Sequence, residues 1–165
     1  MTSASHLPPG RPVLVGVVPG QSPLVLTEAA DLAGSLDVGL VCVWVDGSRI
    51  FLGEAPDGTV YTTPLDPDQE DDSRQVAEQE MRAHLEEVLA GTGVPWVFVY
   101  TLGEVTHGLT GAAREYDARL IAVGPRSAGL TGWMGELIGG SVAGRLAHTQ
   151  ERPVLVVPPR SRHAG

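Results

Sequence analysis

Glycines and one serine are the residues of this chain whose spacing favours binding chemistry. Gly124 follows the apolar run Leu120–Val123, and Gly140 and Ser141 precede an amphipathic segment that begins at Val142. A strand that ends in a glycine-rich loop and leads into a helix leaves backbone N–H groups unpaired beside the positive end of the helix dipole. Phosphate groups bind at such helix N-termini. We therefore expect a phosphate-binding site in the segment from Gly124 to Ser141.

Other side chains in and near this segment could also contact a ligand. Arg126 directly follows the apolar run, where it could bind a phosphate through paired hydrogen bonds or simply lie on the surface. Trp44, near the end of another apolar run, could stack on a base or fill the space that a ligand would occupy. Gly129 favours a flexible loop by its residue type. Trp133 and Met134, in the middle of the loop, are compatible with an apolar lid, an interface patch or burial against the sheet edge.

The residue sets that carry catalysis or hold a metal are missing from the sequence. All 11 basic residues are arginine, and the lack of lysine excludes a Walker-type phosphate loop and Schiff-base chemistry. Acidic residues such as Glu104 and Glu136 supply carboxylates, but no nucleophile, base and orienting group come together. The histidines and Cys42 show no metal-ligand spacing. We predict neither catalytic residues nor a metal site.

Length, composition and charge limit what the chain can bind. Its 165 residues, 42% of them hydrophobic, are typical of one globular domain. The net charge of −9 argues against a nucleic-acid partner, which would need clustered positive charge. The apolar runs are too short to span a membrane, and the first residues do not resemble a secretory signal. Together with a lone cysteine, these features predict a cytoplasmic protein.

Apolar runs and turn signals alternate along the chain and predict an α/β domain. Val13–Val18 is typical of a parallel strand covered on both faces, and Ser22 with Pro23 predicts the start of a helix that ends near Gly34. We also predict strands at 39–45, 94–100, 120–123 and 154–157, helices at 74–90, 105–116 and 141–148, and a short β-hairpin insertion at 50–62. Such alternation favours a parallel sheet with helices on both faces. The predicted domain spans 13–159, after a disordered lead-in at 1–12 and before a tail at 160–165.

Three predicted loops follow strand carboxyl ends, where ligands bind in open parallel sheets. They are the loops at Val18–Ser22, Trp44–Ser48 and Gly124–Gly140. Because the carboxyl ends of parallel strands lie along one edge of the sheet, we expect these loops to converge on a single site.

Several sequence blocks resemble the universal stress protein family, and the resemblance extends from Val13 to Pro159. The blocks are Leu102 to Glu104, Ala118–Gly124, Gly140 to Val142 followed by His148, and Pro153–Pro158. The resemblance implies a five-stranded parallel sheet in the order 3-2-1-4-5, similar to the adenine-nucleotide α-hydrolase fold. It also implies a homodimer paired through the last strand, Pro153 to Val157, and a cytoplasmic stress or signalling role without catalysis, in which another protein can be the partner.

Nucleotide-binding members of that family carry a glycine, two residues, a second glycine, nine residues and Gly-Ser or Gly-Thr. Gly124, Gly140 and Ser141 match this motif, whereas Ser127 replaces the second glycine and the loop is three residues longer than the pattern. Val18, followed by Pro19, stands where these members have an aspartate. The resemblance implies weak binding of ATP or AMP, at Val18, Pro19, Trp44, Gly124, Arg126, Gly129, Gly140, Ser141 and Val142.

Two other functions are compatible with the same sequence. One is a nucleotide-free dimeric protein-interaction module, with Trp44, Val18 and the long loop closing the pocket. The other is an adenine-nucleotide hydrolase on the same scaffold. The sequence leaves open the role of the hairpin near Phe51 to Thr62, the physiological signal and the identity of a protein partner.

Overall fold

The computed structural model describes residues 6–47, 49–54, 60–64, 71–124 and 141–158, with the backbone alone at 49–54, 60–64, 71 and 72. Strands and helices alternate in the described residues as predicted, and a hairpin lies between the second strand and the second helix. The elements are β1 (Val13–Gly16), α1 (Pro23–Ser35), β2 (Leu40–Asp46), β3 (Arg49–Glu54), β4 (Val60–Pro64), α2 (Asp71–Leu89), β5 (Trp96–Leu102), α3 (Val105–Glu115), β6 (Leu120–Val123), α4 (Val142–Thr149) and β7 (Val154–Val156).

Five of the strands form a parallel sheet in the order β5-β2-β1-β6-β7. Counting only these strands along the chain gives the order 3-2-1-4-5, so the predicted fold class is confirmed. Val13 at the start of β1 lies opposite Leu40 of β2 and Leu120 of β6. The strand order therefore reverses between β1 and β6, and in such sheets the ligand crevice opens there, beyond the carboxyl ends of the strands.

Helices cover both faces of this sheet and create two core clusters. On the first face, α1 and α2 pack over fully buried residues such as Val15 and Cys42. On the second face, α3 and α4 pack over residues such as Leu14, Val41 and Ile121. The central strands β1 and β2 are continuous apolar runs because successive side chains enter opposite cores.

The insertion between β2 and α2 is an antiparallel hairpin, as predicted. Ile50 of β3 lies opposite Thr63 of β4, and the register shifts between Phe51 and Gly53. The hairpin is a separate two-stranded sheet, and β3 lies close to β5, the strand at one edge of the main sheet. The turn that joins β3 to β4 lies outside the described residues.

The segment before β1 packs at the amino end of the sheet. Leu7 contacts the second core cluster and Pro12 is buried. Gly39 permits this approach, since a Cβ there would lie 2.6 Å from Leu7 Cδ2. Leu7 and Pro12 of the predicted lead-in thus pack against the domain. Residues 1–5 and the predicted tail at 160–165 lie outside the described residues.

Candidate functional site

A tight turn after β1 brings the chain back over the carboxyl end of the sheet. The backbone N–H of Gln21 donates to the carbonyl of Val18 at 3.2 Å, and Gly20 has a φ of +74°. Pro19 at the second position and a glycine with positive φ at the third make this a type II β-turn. Ser22 follows at once and caps α1 with its hydroxyl, as predicted. The turn therefore positions Gln21 at the edge of the crevice.

Gly124 forms the facing wall of the crevice, immediately after β6. A Cβ at this position would lie 3.1 Å from Gln21 Nε2 and 3.1 Å from Val25 Cγ2. The side chain of Gln21, which is half-buried, thus lies directly against the backbone of Gly124. Only glycine leaves ample room for this approach, so the loop after β1 and the end of β6 meet at the point where the strand order reverses.

The end of β2 is filled by an aromatic cluster that belongs to the core. Trp44 is 8% exposed, and its ring packs edge to face on Tyr100 at a centroid distance of 5.1 Å. The hydroxyl of Tyr100 donates to Asp46 Oδ2 at 2.8 Å, and the Arg74 guanidinium lies 5.3 Å from the centroid of the Tyr100 ring. Burial, and the hydrogen bond to Asp46, raise the pKa of Tyr100 well above its usual value. Of the two alternatives for Trp44, the structure favours space filling over stacking on a base.

Ser141 caps α4 at the position that the sequence predicted. Its Oγ accepts a hydrogen bond from the N–H of Gly144 at 3.0 Å, and its side chain is exposed. Val142 follows, half-buried against the second core cluster. The hydroxyl proton of Ser141 can be donated to another group, and the first N–H groups of α4 have no carbonyl partner within the helix. These groups are donors suited to an anion.

The N-terminus of α3 is instead closed by a side chain of the same protein. The Glu104 carboxylate accepts hydrogen bonds from the N–H groups of Thr106 at 3.0 Å and His107 at 2.7 Å. Arg145 of α4 lies 3.4 Å from the same carboxylate. Partial burial alone would raise the pKa of Glu104, but these hydrogen bonds and the arginine charge outweigh it and lower the pKa. Of these two helix N-termini, that of α4 remains the better anion site.

The other predicted site residues divide into two groups. Val18 is half-buried and packs against the first core cluster, while Pro19 is exposed in the turn. Arg126, Gly129 and Gly140 lie outside the described residues, as do Ser127, Trp133 and Met134. The structure thus brings Val18, Pro19 and Gly124 to the crevice, and it assigns Trp44 to the core.

Gln21 is the residue at the crevice that the sequence interpretation missed. Its sequence signal is local: Pro19 and Gly20 predict a reversal of the chain, and Ser22 predicts a helix start directly afterwards. A polar residue between these two signals must lie at the carboxyl end of β1. Its contact with Gly124 depends on the pairing of β1 with β6, which local patterns do not reveal.

Redox and metal chemistry find little support at the described positions. Cys42 is fully buried, and burial raises the pKa of its thiol far above the ordinary value, so a thiolate does not form there. Across the described ranges, His, Cys, Asp and Glu side chains form no group of three that could hold a metal ion. No helix within those ranges is both long and apolar enough to cross a lipid bilayer.

Comparison with known proteins identifies the family. The model of the universal stress protein family matches residues 10–158, which is most of the chain. This chain belongs to the universal stress protein family. No curated protein matches this universal stress protein in sequence.

Solved structures of other universal stress proteins share the fold. UspA from Lactobacillus plantarum is 19% identical, covers 89% of this chain and 97% of its own, and superposes with a TM-score of 0.64. A universal stress protein in complex with cAMP is 19% identical, with 94% and 98% covered and a TM-score of 0.62. The Archaeoglobus fulgidus protein in complex with dAMP is 19% identical, with 89% and 97% covered and a TM-score of 0.60.

Proposed function

We propose that this universal stress protein is a non-catalytic stress-response or signalling module that binds an adenine nucleotide, ATP or AMP, weakly at the crevice between β1 and β6. The observation that carries the proposal is the meeting of Gly124 with the turn after β1 at the reversal of the strand order. Ligands bind at this point in folds of this type. Solved relatives with the same fold include complexes with dAMP and cAMP.

Weak binding follows from the kinds of groups at the crevice. Val18 is apolar and cannot accept a hydrogen bond through its side chain. The N-terminus of α4 offers backbone amides and the Ser141 hydroxyl, and a helix dipole contributes only about 0.3–1 kcal/mol at an exposed site. We expect a dissociation constant nearer to about 1 mM than to about 1 μM, which corresponds to a binding free energy of about −4 to −6 kcal/mol.

The lack of a catalytic cycle is supported by the chemistry of the side chains near the crevice. Gln21 and Ser141 are uncharged, and the hydrogen bond that the Ser141 hydroxyl forms among the described residues is to the backbone N–H of Gly144, not to a base. The carboxylate of Glu104 is occupied by two backbone N–H groups and by Arg145. A hydrolase would need a group that activates water close to the phosphates.

A homodimer through the last strand, in the cytoplasm, is the second part of the proposal. β7 pairs with β6 on one side, where Ile121 lies opposite Val154, and its other edge is the end of the sheet. Val156 on this strand is 45% exposed, an unusual position for a large apolar side chain. An apolar edge strand invites pairing with another chain. A second copy, with its own Pro153 to Val157, would cover both edges at once.

A nucleotide-free dimeric interaction module is the alternative, and one observation favours it. Val18 packs on the core, and Trp44 fills the space at the end of β2, so two of the predicted ligand contacts are apolar and already in use. In this case the dimer alone would carry the function, and the crevice would bind no nucleotide.

Isothermal titration calorimetry with ATP and AMP separates these possibilities. The proposal expects saturable heat with one site per chain, and no release of phosphate from ATP above the background rate. The absence of heat at millimolar nucleotide would leave the nucleotide-free module. Phosphate release that depends on the protein would establish the hydrolase.

Sedimentation of a matched pair of variants tests the dimer. Val156→Asp places a charge on the edge of β7 and should convert the dimer into a monomer. Val76→Asp is the control, because Val76 is 52% exposed on α2, away from that edge. A wild-type protein that sediments only as a monomer at micromolar concentration would refute the dimer.

A further inference from the structure

We propose that the side-chain amide of Gln21 recognises the adenine base and makes the crevice select adenine over guanine nucleotides. This inference rests on the proposed function, because it presupposes that a nucleotide binds between β1 and β6. It adds a residue that binds the edge of the base, whereas Trp44, which the sequence offered for stacking on a base, belongs to the core.

The backbone fixes the place of Gln21 with little freedom. The type II turn from Val18 to Gln21 is closed by a hydrogen bond, and Ser22 and Pro23 begin α1 directly after it. A residue held between a closed turn and a capped helix keeps the direction of its Cα–Cβ bond. The side chain then crosses from the β1 wall to the β6 wall, where its Nε2 lies against Gly124.

The amide itself is available for a ligand. Among the described residues, none forms a hydrogen bond with the Gln21 side chain, although that side chain is half-buried. An amide offers two N–H donors and a carbonyl acceptor, all of which a ligand can engage. By contrast, the Gln150 amide at the opposite end of the sheet is engaged by the carbonyls of Leu146 and Arg152.

Adenine has the complementary pattern on one edge of its ring. Its N6 amino group donates and its N7 accepts, so a glutamine amide can pair with both atoms at once. Guanine presents two acceptors, O6 and N7, on the same edge, and the glutamine carbonyl finds no donor there. The half-buried side chain of Val18, in the same turn, offers an apolar surface for the flat face of either base.

Calorimetric titration of ATP and GTP into wild type, Gln21→Leu and Gln75→Leu tests this role. Leucine keeps approximately the size of glutamine but has no polar atoms, and Gln75, exposed on α2, is the matched control. We expect Gln21→Leu to lose about tenfold in affinity for ATP and much less for GTP. Gln75→Leu should bind both nucleotides as the wild type does.

The outcomes separate this inference from the proposed function. If the wild type binds no nucleotide, both are wrong. If the wild type binds ATP and Gln21→Leu binds it equally well or more tightly, Gln21 is not a ligand residue and only the inference is overturned. An equal loss of affinity for ATP and GTP in Gln21→Leu also overturns it, because removing a residue that recognises the base must change the preference between the two nucleotides.

A second substitution keeps the test decisive if leucine disturbs folding. Gln21→Glu preserves the shape but replaces the amide donors with a carboxylate that faces the lone pair of N7. Because N7 is an acceptor, this substitution should weaken the binding of ATP relative to the wild type. ATP affinity in Gln21→Glu equal to that of the wild type would contradict the assignment.

Discussion

The two ends of the parallel sheet differ in the polar groups that they leave without a partner in the protein. At the amino end, Arg152 Nε donates to the carbonyl of Ala118 at 2.7 Å, and Arg11 donates to the same carbonyl at 3.3 Å. Both guanidinium groups also pair with the Asp117 carboxylate, at 3.4 Å from Arg11 and 3.6 Å from Arg152. At the carboxyl end, the amide of Gln21 and the first two N–H groups of α4 have no such protein partners among the described residues, although Ser141 caps the third.

The paired groups at the amino end form a structural network, whereas the unpaired groups at the carboxyl end form a surface that can bind a ligand. Polar groups that satisfy one another within the protein stabilise the fold but have little left to offer a ligand. Arg11 and Arg152 pair in this way with the residues that follow the C-terminal end of α3. Their positive charges also interact favourably with the negative end of the helix dipole. Substitutions at the amino end should therefore change stability alone, whereas substitutions at the carboxyl end should change binding as well.

The largest expected effect on stability comes from Gly108→Ala, which forces α3 away from the sheet. In Gly108→Ala, the new Cβ would lie 2.7 Å from both methyl groups of the buried Val45, so α3 or β2 must shift. We expect a loss of about 1–3 kcal/mol in the free energy of unfolding. Gly111→Ala is the control in the same helix. No atom lies within 4 Å of its added Cβ, and alanine there should stabilise by up to about 1 kcal/mol.

Denaturant unfolding of the two variants measures both changes in the free energy of unfolding. Equal stability of Gly108→Ala and Gly111→Ala would contradict the close packing of α3 on β2, and with it the placement of Glu104 at the carboxyl end.

The next largest effect is expected at the amino end. Arg152, which is 18% exposed on its side chain, loses its hydrogen bond to Ala118 in Arg152→Ala, and we expect a loss of about 2 kcal/mol in stability. Nucleotide affinity, measured by calorimetry well below the melting temperature, should not change. Arg152→Lys should recover only part of the stability, because an ammonium group lacks the planar fork of a guanidinium. Weaker nucleotide binding in Arg152→Ala would remove the contrast between the two ends.

Substitutions of Ser141 should separate helix capping from ligand binding. Ser141→Ala removes the acceptor for the Gly144 N–H and should cost about 1 kcal/mol in stability. Ser141→Asp restores a good cap and a favourable charge at the helix N-terminus, so its stability should match the wild type. Both variants should bind ATP more weakly, and aspartate the most, because its charge repels phosphate. Wild-type ATP affinity in Ser141→Asp would place the phosphates elsewhere.

The smallest expected effect is the pH dependence that Glu104 brings to stability. Since its pKa in the folded protein is lowered, Glu104 stabilises the fold above its unfolded pKa of about 4.3, and this contribution is lost as the pH falls through the lower folded value. The melting temperature of the wild type should exceed that of Glu104→Gln between pH 5 and pH 7, and the gap should shrink below about pH 4. Glu80→Gln, on the exposed part of α2, is the control. A gap that widens in acid would contradict this sign.

Local sequence patterns predicted most elements of the fold, because each depends on near neighbours in the chain. The strand at Leu120–Val123 and the helix start after Ser141 lie where they were predicted. The end of α1, at Ser35, lies one residue beyond Gly34, near which it was predicted. The positive φ that turns the chain belongs to Asp37, at 54°, and not to a glycine. Aspartate tolerates this conformation.

The candidate site was less predictable, because its contacts join distant parts of the chain. Whether Trp44 faced a ligand or the core depended on Tyr100 of the neighbouring strand. The contact of Gln21 with Gly124 depended on the pairing of β1 with β6. The family resemblance supplied the strand order correctly. It did not supply Gln21, which lies outside the family motif.

The central claim, that the carboxyl end binds an adenine nucleotide and the amino end does not, can be tested in one experiment. An NMR titration of the isotope-labelled protein with ATP reports every backbone amide separately. The account predicts saturable shifts at Gln21, Gly124 and Ser141, with Asp117 and Arg152 unmoved. Shifts confined to the amino end, or none at millimolar ATP, would contradict it.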